Sequence, residues 1–141
     1  MALRVLAAAA LGVSAYVHLH LAHRYAYPGT ISGTDLFRAQ GVTAIVVGVA
    51  LLATGHRWAW VAAAVVGLAS FGAVMLYRYV DVGAIGPLPN MYDATWQPSP
   101  DKLMSALVEI ALPVLWAVHL VARPRTRSRT RAVAAHSGGH A

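Results

Sequence analysis

The chain has 141 residues, 58% of them hydrophobic and 11% charged, with a formal net charge of +6 and no cysteine. A soluble globular domain carries about 25% charged residues, so water is the wrong solvent for most of this chain, which excludes a soluble enzyme, a collagen-like chain and a disordered protein. The lack of thiols excludes disulfides, thiolate-ligated zinc, iron–sulfur clusters and cysteine nucleophiles.

A spanning helix needs about 20 mainly apolar residues, and four stretches qualify: 3–22, 36–53, 58–77 and 103–122. The expected fold class is an all-α membrane protein, an antiparallel four-helix transmembrane bundle over residues 1–122, with a tail at 123–141. In the first stretch, Arg4, the alanines after it and Val13-Ser14-Ala15 have the layout of a cleavable secretory signal. The apolar run continues through Tyr16, Val17, Leu19 and Leu21 to spanning length, so it is read as an uncleaved span.

The first span ends in His18-Leu19-His20-Leu21-Ala22-His23. Helical residues advance about 100° each, which sets His18 roughly 160° from His20, so this run alone offers no converging set of metal ligands. The link that follows carries Pro28, Gly29 and Gly33, and the second span opens with Asp35, Arg38 and Gln40. Residues 54–57 suffice only for a tight helical hairpin into the third span. Small residues recur at helical spacing: Ala8, Gly12 and Ala15, then Gly41, Ala44 and Gly48, then Ala63, Gly67 and Ser70. Such stripes let helix backbones approach closely where lipid removes the usual driving force for packing.

Beyond the third span, Arg78 and Asp81 are spaced to pair with each other. The loop 79–102 holds Pro87, Pro89, Pro98 and Pro100, which forbid a regular helix. It is also dense in Tyr79, Val82, Ile85, Leu88, Met91, Tyr92 and Trp96, either as headgroup anchors or as a lid over the bundle. Gly83-Ala84-Ile85-Gly86 lacks the ending of a nucleotide-binding loop.

Glu109 is the one acidic residue inside a span. An ionisable side chain at mid-membrane costs at least ~2.5 kcal/mol unless paired or hydrated. Counting from Lys102, Glu109 lies about 10 Å deep. His18 reaches a comparable depth and Gln40 about 7 Å, so three spans offer polar groups to one layer. Glu109 and His18 are therefore expected to approach one another, with Arg38 and His20 as further partners. The plain reading of Glu109 is a hydrogen-bonded helix clamp; the functional readings are a proton, ion, small-ligand or metal site. His119 belongs to the opposite half of its span, a poor match for a haem held between two histidines.

Arg4, Arg57 and the five tail arginines make seven basic residues on one side, against Arg24, Arg38, Arg78 and Lys102 on the other. The basic side is expected to be cytoplasmic. That puts both termini inside and the long loop outside a plasma membrane, with the polar layer in the outer leaflet. Arg123, Arg125, Arg127, Arg129 and Arg131 alternate with Ser, Thr and Pro, a pattern for a disordered tail that meets anionic headgroups at about 1 kcal/mol per Arg. Nucleic acid is the weaker reading of this charge.

Gly33-Thr34-Asp35-Leu36-Phe37-Arg38-Ala39-Gln40 opening the second span, and Gly86-Pro87-Leu88-Pro89-Asn90-Met91-Tyr92-Asp93-Ala94-Thr95-Trp96 in the loop, add to the His-Leu end of the first span and the Glu in the fourth. Together they resemble small uncharacterised four-helix integral membrane proteins of actinobacterial type, over about residues 1–122. The resemblance implies four spans and no particular activity.

The favoured expectation is a non-enzymatic accessory or small-ligand-binding protein, its pocket formed by Glu109, His18, Gln40, Arg38 and His20, with no catalytic residues and no cofactor required. The ligand class expected is a small polar or cationic species or a partner membrane subunit, including a second copy of the chain. The alternative is a metal, redox or proton-transport component with His18, His20 and Glu109 as ligands or relay.

Overall fold

The computed structural model describes residues 1–97 and 100–122; the expectations for the tail at 123–141 lie outside the described residues. Four helices account for the fold: α1 (Ala2–Leu21), α2 (Gly33–Thr54), α3 (Arg57–Tyr79) and α4 (Asp101–Ala122). All four are long and apolar enough to cross a membrane. The ends are set by local chemistry. α2 starts earlier than its apolar run because Ser32 caps it: the Ser32 hydroxyl accepts from the Asp35 N–H at 3.1 Å and donates to the Asp35 carboxylate at 2.6 Å. Gly55, at φ 59, closes α2 in the left-handed conformation, and its N–H donates to the Leu51 carbonyl. His56 then caps α3 through the Trp58 N–H, completing the short hairpin.

α1 packs on α2 and α4, α3 packs on α4, and the contact between α2 and α3 is the thinnest of the four. The Arg4 guanidinium lies against Gly55, which brings the start of α1 to the α2–α3 turn. At the opposite end the Ile31 N–H donates to the Pro87 carbonyl at 3.1 Å, tying the α1–α2 link to the long loop. The bundle is thus antiparallel, with a terminal end and a loop end.

Towards the terminal end, Ala7, Leu11, Leu51, Trp60, Ala63 and Leu112 belong to one buried core. A smaller cluster of Val17, Leu21 and Tyr25 lies nearer the loop end. The stripes of α2 and α3 are packing seams: a Cβ on Gly41 would meet Leu19 and one on Gly48 would meet Leu11, while one on Gly67 would stand 2.5 Å from the Glu109 carbonyl. The α1 stripe fails at Gly12, which is exposed and has nothing near its missing Cβ. Large apolar residues such as Val46, Val65, Leu107 and Val114 face outward, as side chains that meet lipid do.

The long loop is folded over its end of the bundle. Gly86, at φ 58, forms a tight turn in which Ile85 and Leu88 exchange backbone hydrogen bonds of 3.2 and 3.0 Å. Asp81 accepts from the Gly83 N–H and the Asn90 amide, and the Asp93 N–H donates to the Tyr77 carbonyl at the end of α3. The expected Arg78–Asp81 pair does not form, because Asp81 is engaged within the loop and Arg78 lies over the rings of Tyr79 and Trp96.

Candidate functional site

Glu109 is fully buried on the face of α4 turned to α1 and α3. Its Oε1 accepts hydrogen bonds from the Ser14 hydroxyl at 2.9 Å and the Ser105 hydroxyl at 2.7 Å. His18 Nδ1 stands 3.7 Å from the same oxygen. The expected approach of Glu109 and His18 is therefore present in the structure. Oε2 has no hydrogen-bond partner although it is buried.

The cluster follows from helical spacing. Ser14 precedes His18 by four residues on α1, and Ser105 precedes Glu109 by four on α4, so each hydroxyl sits one turn from the titratable group on its own face. The His18 Nδ1 lies 2.9 Å from the Ser14 carbonyl. A carbonyl only accepts, so Nδ1 carries a proton. Pro113 adds a backbone feature on α4: it has no N–H to give to the Glu109 carbonyl four residues back. That carbonyl lies over Gly67, where only hydrogen fits, so α3 and α4 close tightly beside the carboxylate.

A cavity of about 310 Å³ lies at the loop end, between this cluster and the folded loop. All four helices line it, with Val17 and His18 from α1, Phe37 and Gln40 from α2, and Val74 and Ser105 among the contributions of α3 and α4. Leu88, Met91 and Asp93 cover it from the loop, which makes the lid reading of that segment the structural one. Most of the wall is aliphatic or aromatic. Polar groups stand at two places: His18, Gln40, Ser70 and Ser105 within the helices, and Lys102 with Asp93 at the lid. Ala69 and Ala73 line the cavity yet are exposed, so it opens sideways between α2 and α3, where the helices touch least.

Lys102 fastens the lid. Its ammonium donates to the Asp93 carboxylate at 2.9 Å and to the Thr95 carbonyl at 2.7 Å. Burial alone raises the Asp93 pKa, but hydrogen bonds from Lys102 and Thr95 outweigh it and hold the carboxyl below its ordinary value. Tyr25 stacks on Phe37 with ring centroids 4.5 Å apart, and its hydroxyl donates to the Gln97 carbonyl at 3.4 Å. Burial, reinforced by the negative charge of Asp93, pushes the Tyr25 phenol up to about 12, so it remains a neutral donor.

The residues expected to share a site divide into two groups. His18 and Gln40 line the cavity, and Glu109 sits behind the wall and braces it through His18 and Ser105. Arg38 and His20 are exposed and lie outside it; His20 stacks on Tyr16 at 5.4 Å. Among the described residues no group of three or more His, Asp or Glu is placed to hold a metal ion. His119 is at the terminal end, stacked on Trp60 at 4.2 Å. Sequence reasoning missed Ser14, Ser105 and the Lys102–Asp93 clasp. The Ser-x-x-x-His and Ser-x-x-x-Glu spacings were a readable signal for the two serines, whereas the clasp depends on the path of the loop.

Comparison of the chain with family models, with curated proteins and with solved structures finds no match in any of the three.

Proposed function

We propose that this chain is a non-enzymatic, small-ligand-binding protein of the plasma membrane that takes a largely apolar molecule from the bilayer into its loop-end cavity. The observation that carries this reading is the cavity itself: about 310 Å³, walled mainly by apolar side chains, with a few fixed polar groups and a lateral opening between α2 and α3. Small-molecule sites have this character, a mostly apolar wall in which a few polar groups fix orientation, and volumes from about 300 Å³ upward. The side opening favours a guest that arrives through lipid. The lining favours such a guest over the free polar or cationic species that the sequence suggested, since a dissolved ion would lose its hydration against an apolar wall. The excess of Lys and Arg at the terminal end supports termini in the cytoplasm and the cavity in the outer leaflet.

Native mass spectrometry of the full chain, released from mild detergent, tests this reading. A small molecule should remain on the wild type and be absent from Ala73→Phe, which places a ring in the opening. Identical spectra for the two proteins would overturn it. The 3.7 Å approach of His18 to Glu109 favours a second reading, a proton relay beside the cavity, in which His20 takes no part because it is stacked outside.

A further inference from the structure

A second cavity, of about 250 Å³, lies at the terminal end of the bundle and shares no lining residue with the first. Arg57, Trp58 and Val61 from the start of α3 and Trp116, His119 and Leu120 from the end of α4 form its wall, with the buried Trp60 behind them. Arg57 is the first residue of α3 and Val61 stands four residues on, about 6 Å further along the axis. Leu120 and Trp116 are four residues apart in the same way on α4. The cavity thus carries a cation at the mouth of two membrane spans and apolar side chains a turn below it.

The charge of Arg57 has no counterpart. Its guanidinium makes no hydrogen bond and no ion pair among the described residues, and lies 5.0 Å over the exposed Trp58 ring. The chain has five acidic side chains: Asp35, Asp81, Asp93 and Asp101 are at the loop end, and Glu109 is buried beyond reach among its hydroxyl partners. The terminal end therefore has no aspartate or glutamate to offer. Arg4, also at this end, lies against Gly55 and is not part of the wall.

We propose that this cavity binds an anionic phospholipid, with the phosphate on Arg57 and the first part of an acyl chain along Val61, Trp116 and Leu120. The planar guanidinium matches two phosphate oxygens at once, and tryptophan is the residue that sits where head groups meet chains. A zwitterionic phosphocholine lipid fits less well. Its quaternary ammonium would need an anion or an open aromatic face, but Trp58 already carries Arg57, Trp60 is buried and stacked on His119 at 4.2 Å, and Trp116 shares its cavity with the Arg57 cation. A water-soluble phosphate would satisfy Arg57 alone and leave the apolar wall below it unfilled.

The test titrates the full chain in mild detergent with dioleoyl-phosphatidylglycerol or dioleoyl-phosphatidylcholine and follows the first bound lipid by native mass spectrometry. The two lipids share their chains and differ in head group. The first phosphatidylglycerol should bind about tenfold more tightly than the first phosphatidylcholine, as a charge-assisted pair allows. Arg57→Gln should remove that preference, and Arg38→Gln, which removes an exposed charge at the opposite end, should keep it. Equal binding of the two lipids to the wild type would overturn the proposal. A preference that survives Arg57→Gln would overturn it as well, by placing the lipid elsewhere, such as on the arginines of the tail. Displacement of phosphatidylglycerol by an equal concentration of glycerophosphoglycerol, the same head without chains, would show a site for a soluble anion and would equally overturn it.

Discussion

The two halves of the bundle use the same helices differently. Towards the terminal end, Trp60, Leu11, Leu51 and Leu112 fill the centre, and the short Gly55-His56 hairpin holds α2 against α3. Towards the loop end the same four helices enclose a cavity and a buried carboxylate. The glycine seams explain the difference. Gly41 and Gly48 draw α2 onto α1, and Gly67 draws α3 onto α4 beside Glu109, but α2 and α3 have no such seam between them and make the least contact. Two tight pairs joined by a short turn at one end leave room at the other. A packed core and a binding cavity can therefore come from one set of small residues, according to which helix each one faces.

The sharpest way to break this comparison is to widen a seam. Gly67→Val should destabilise the bundle by about 3 kcal/mol, because the new Cβ meets the Glu109 carbonyl backbone, which cannot swing aside. Gly72→Val, on the same helix but with open space at the missing Cβ, should change stability by less than about 0.5 kcal/mol. Reversible unfolding in mixed detergent measures both, and equal effects would show that the seam is not what holds α3 to α4.

A smaller effect is expected at the buried cluster. Ser14→Ala removes one of the two hydroxyls that donate to Glu109 Oε1 and should cost about 1–2 kcal/mol in the same assay. A neutral result would mean that Ser105 alone satisfies the carboxylate.

The lid should respond more weakly still. Asp93→Asn weakens the clasp to Lys102, and hydrogen exchange at the Asp93-site amide, bonded to the Tyr77 carbonyl, should quicken by about tenfold. Acid should do the same in the wild type. Because the folded pKa of Asp93 is depressed, its contribution is complete above the ordinary value of 3.8 and is lost as pH falls through the folded value. Lid protection, corrected for intrinsic exchange, should therefore hold at neutral pH and decline only in strong acid. Loss of protection near pH 6 would point to a histidine instead.

The smallest effect is expected from the tail. Deleting residues 123–141 should leave the unfolding midpoint of the bundle nearly unchanged, since the buried core contacts among the described residues are all made by residues before Ala122. The deletion should lower binding to anionic but not to neutral vesicles, because it removes five arginines.

Much of the architecture was legible in the residues, since span length and apolar content alone give four helices and their approximate ends. The meeting of His18 and Glu109 was legible too, because two lone polar groups at matching depth have few other partners in hydrocarbon. Side-chain direction was harder to read. Arg38 and Gln40 lie within one turn of α2, yet one faces outward and the other lines the cavity, which depth cannot distinguish. His20 was separated from His18 by the helical angle, and its place outside the cavity follows from that angle. The apolar character of the cavity was hidden, because it arises from Phe37, Val74 and Met91 on three separate segments.

The claim on which the account rests is that the loop-end cavity admits molecules from the bilayer between α2 and α3. Photolabelling with an apolar diazirine in reconstituted vesicles, followed by peptide mapping, tests it most directly. Labels are expected on Phe37, Val74 and Met91 inside the cavity as well as on lipid-facing Val46 and Val65, and Ala73→Phe should erase the first set and spare the second. Labels confined to Val46, Val65 and other outward side chains in the wild type would contradict it.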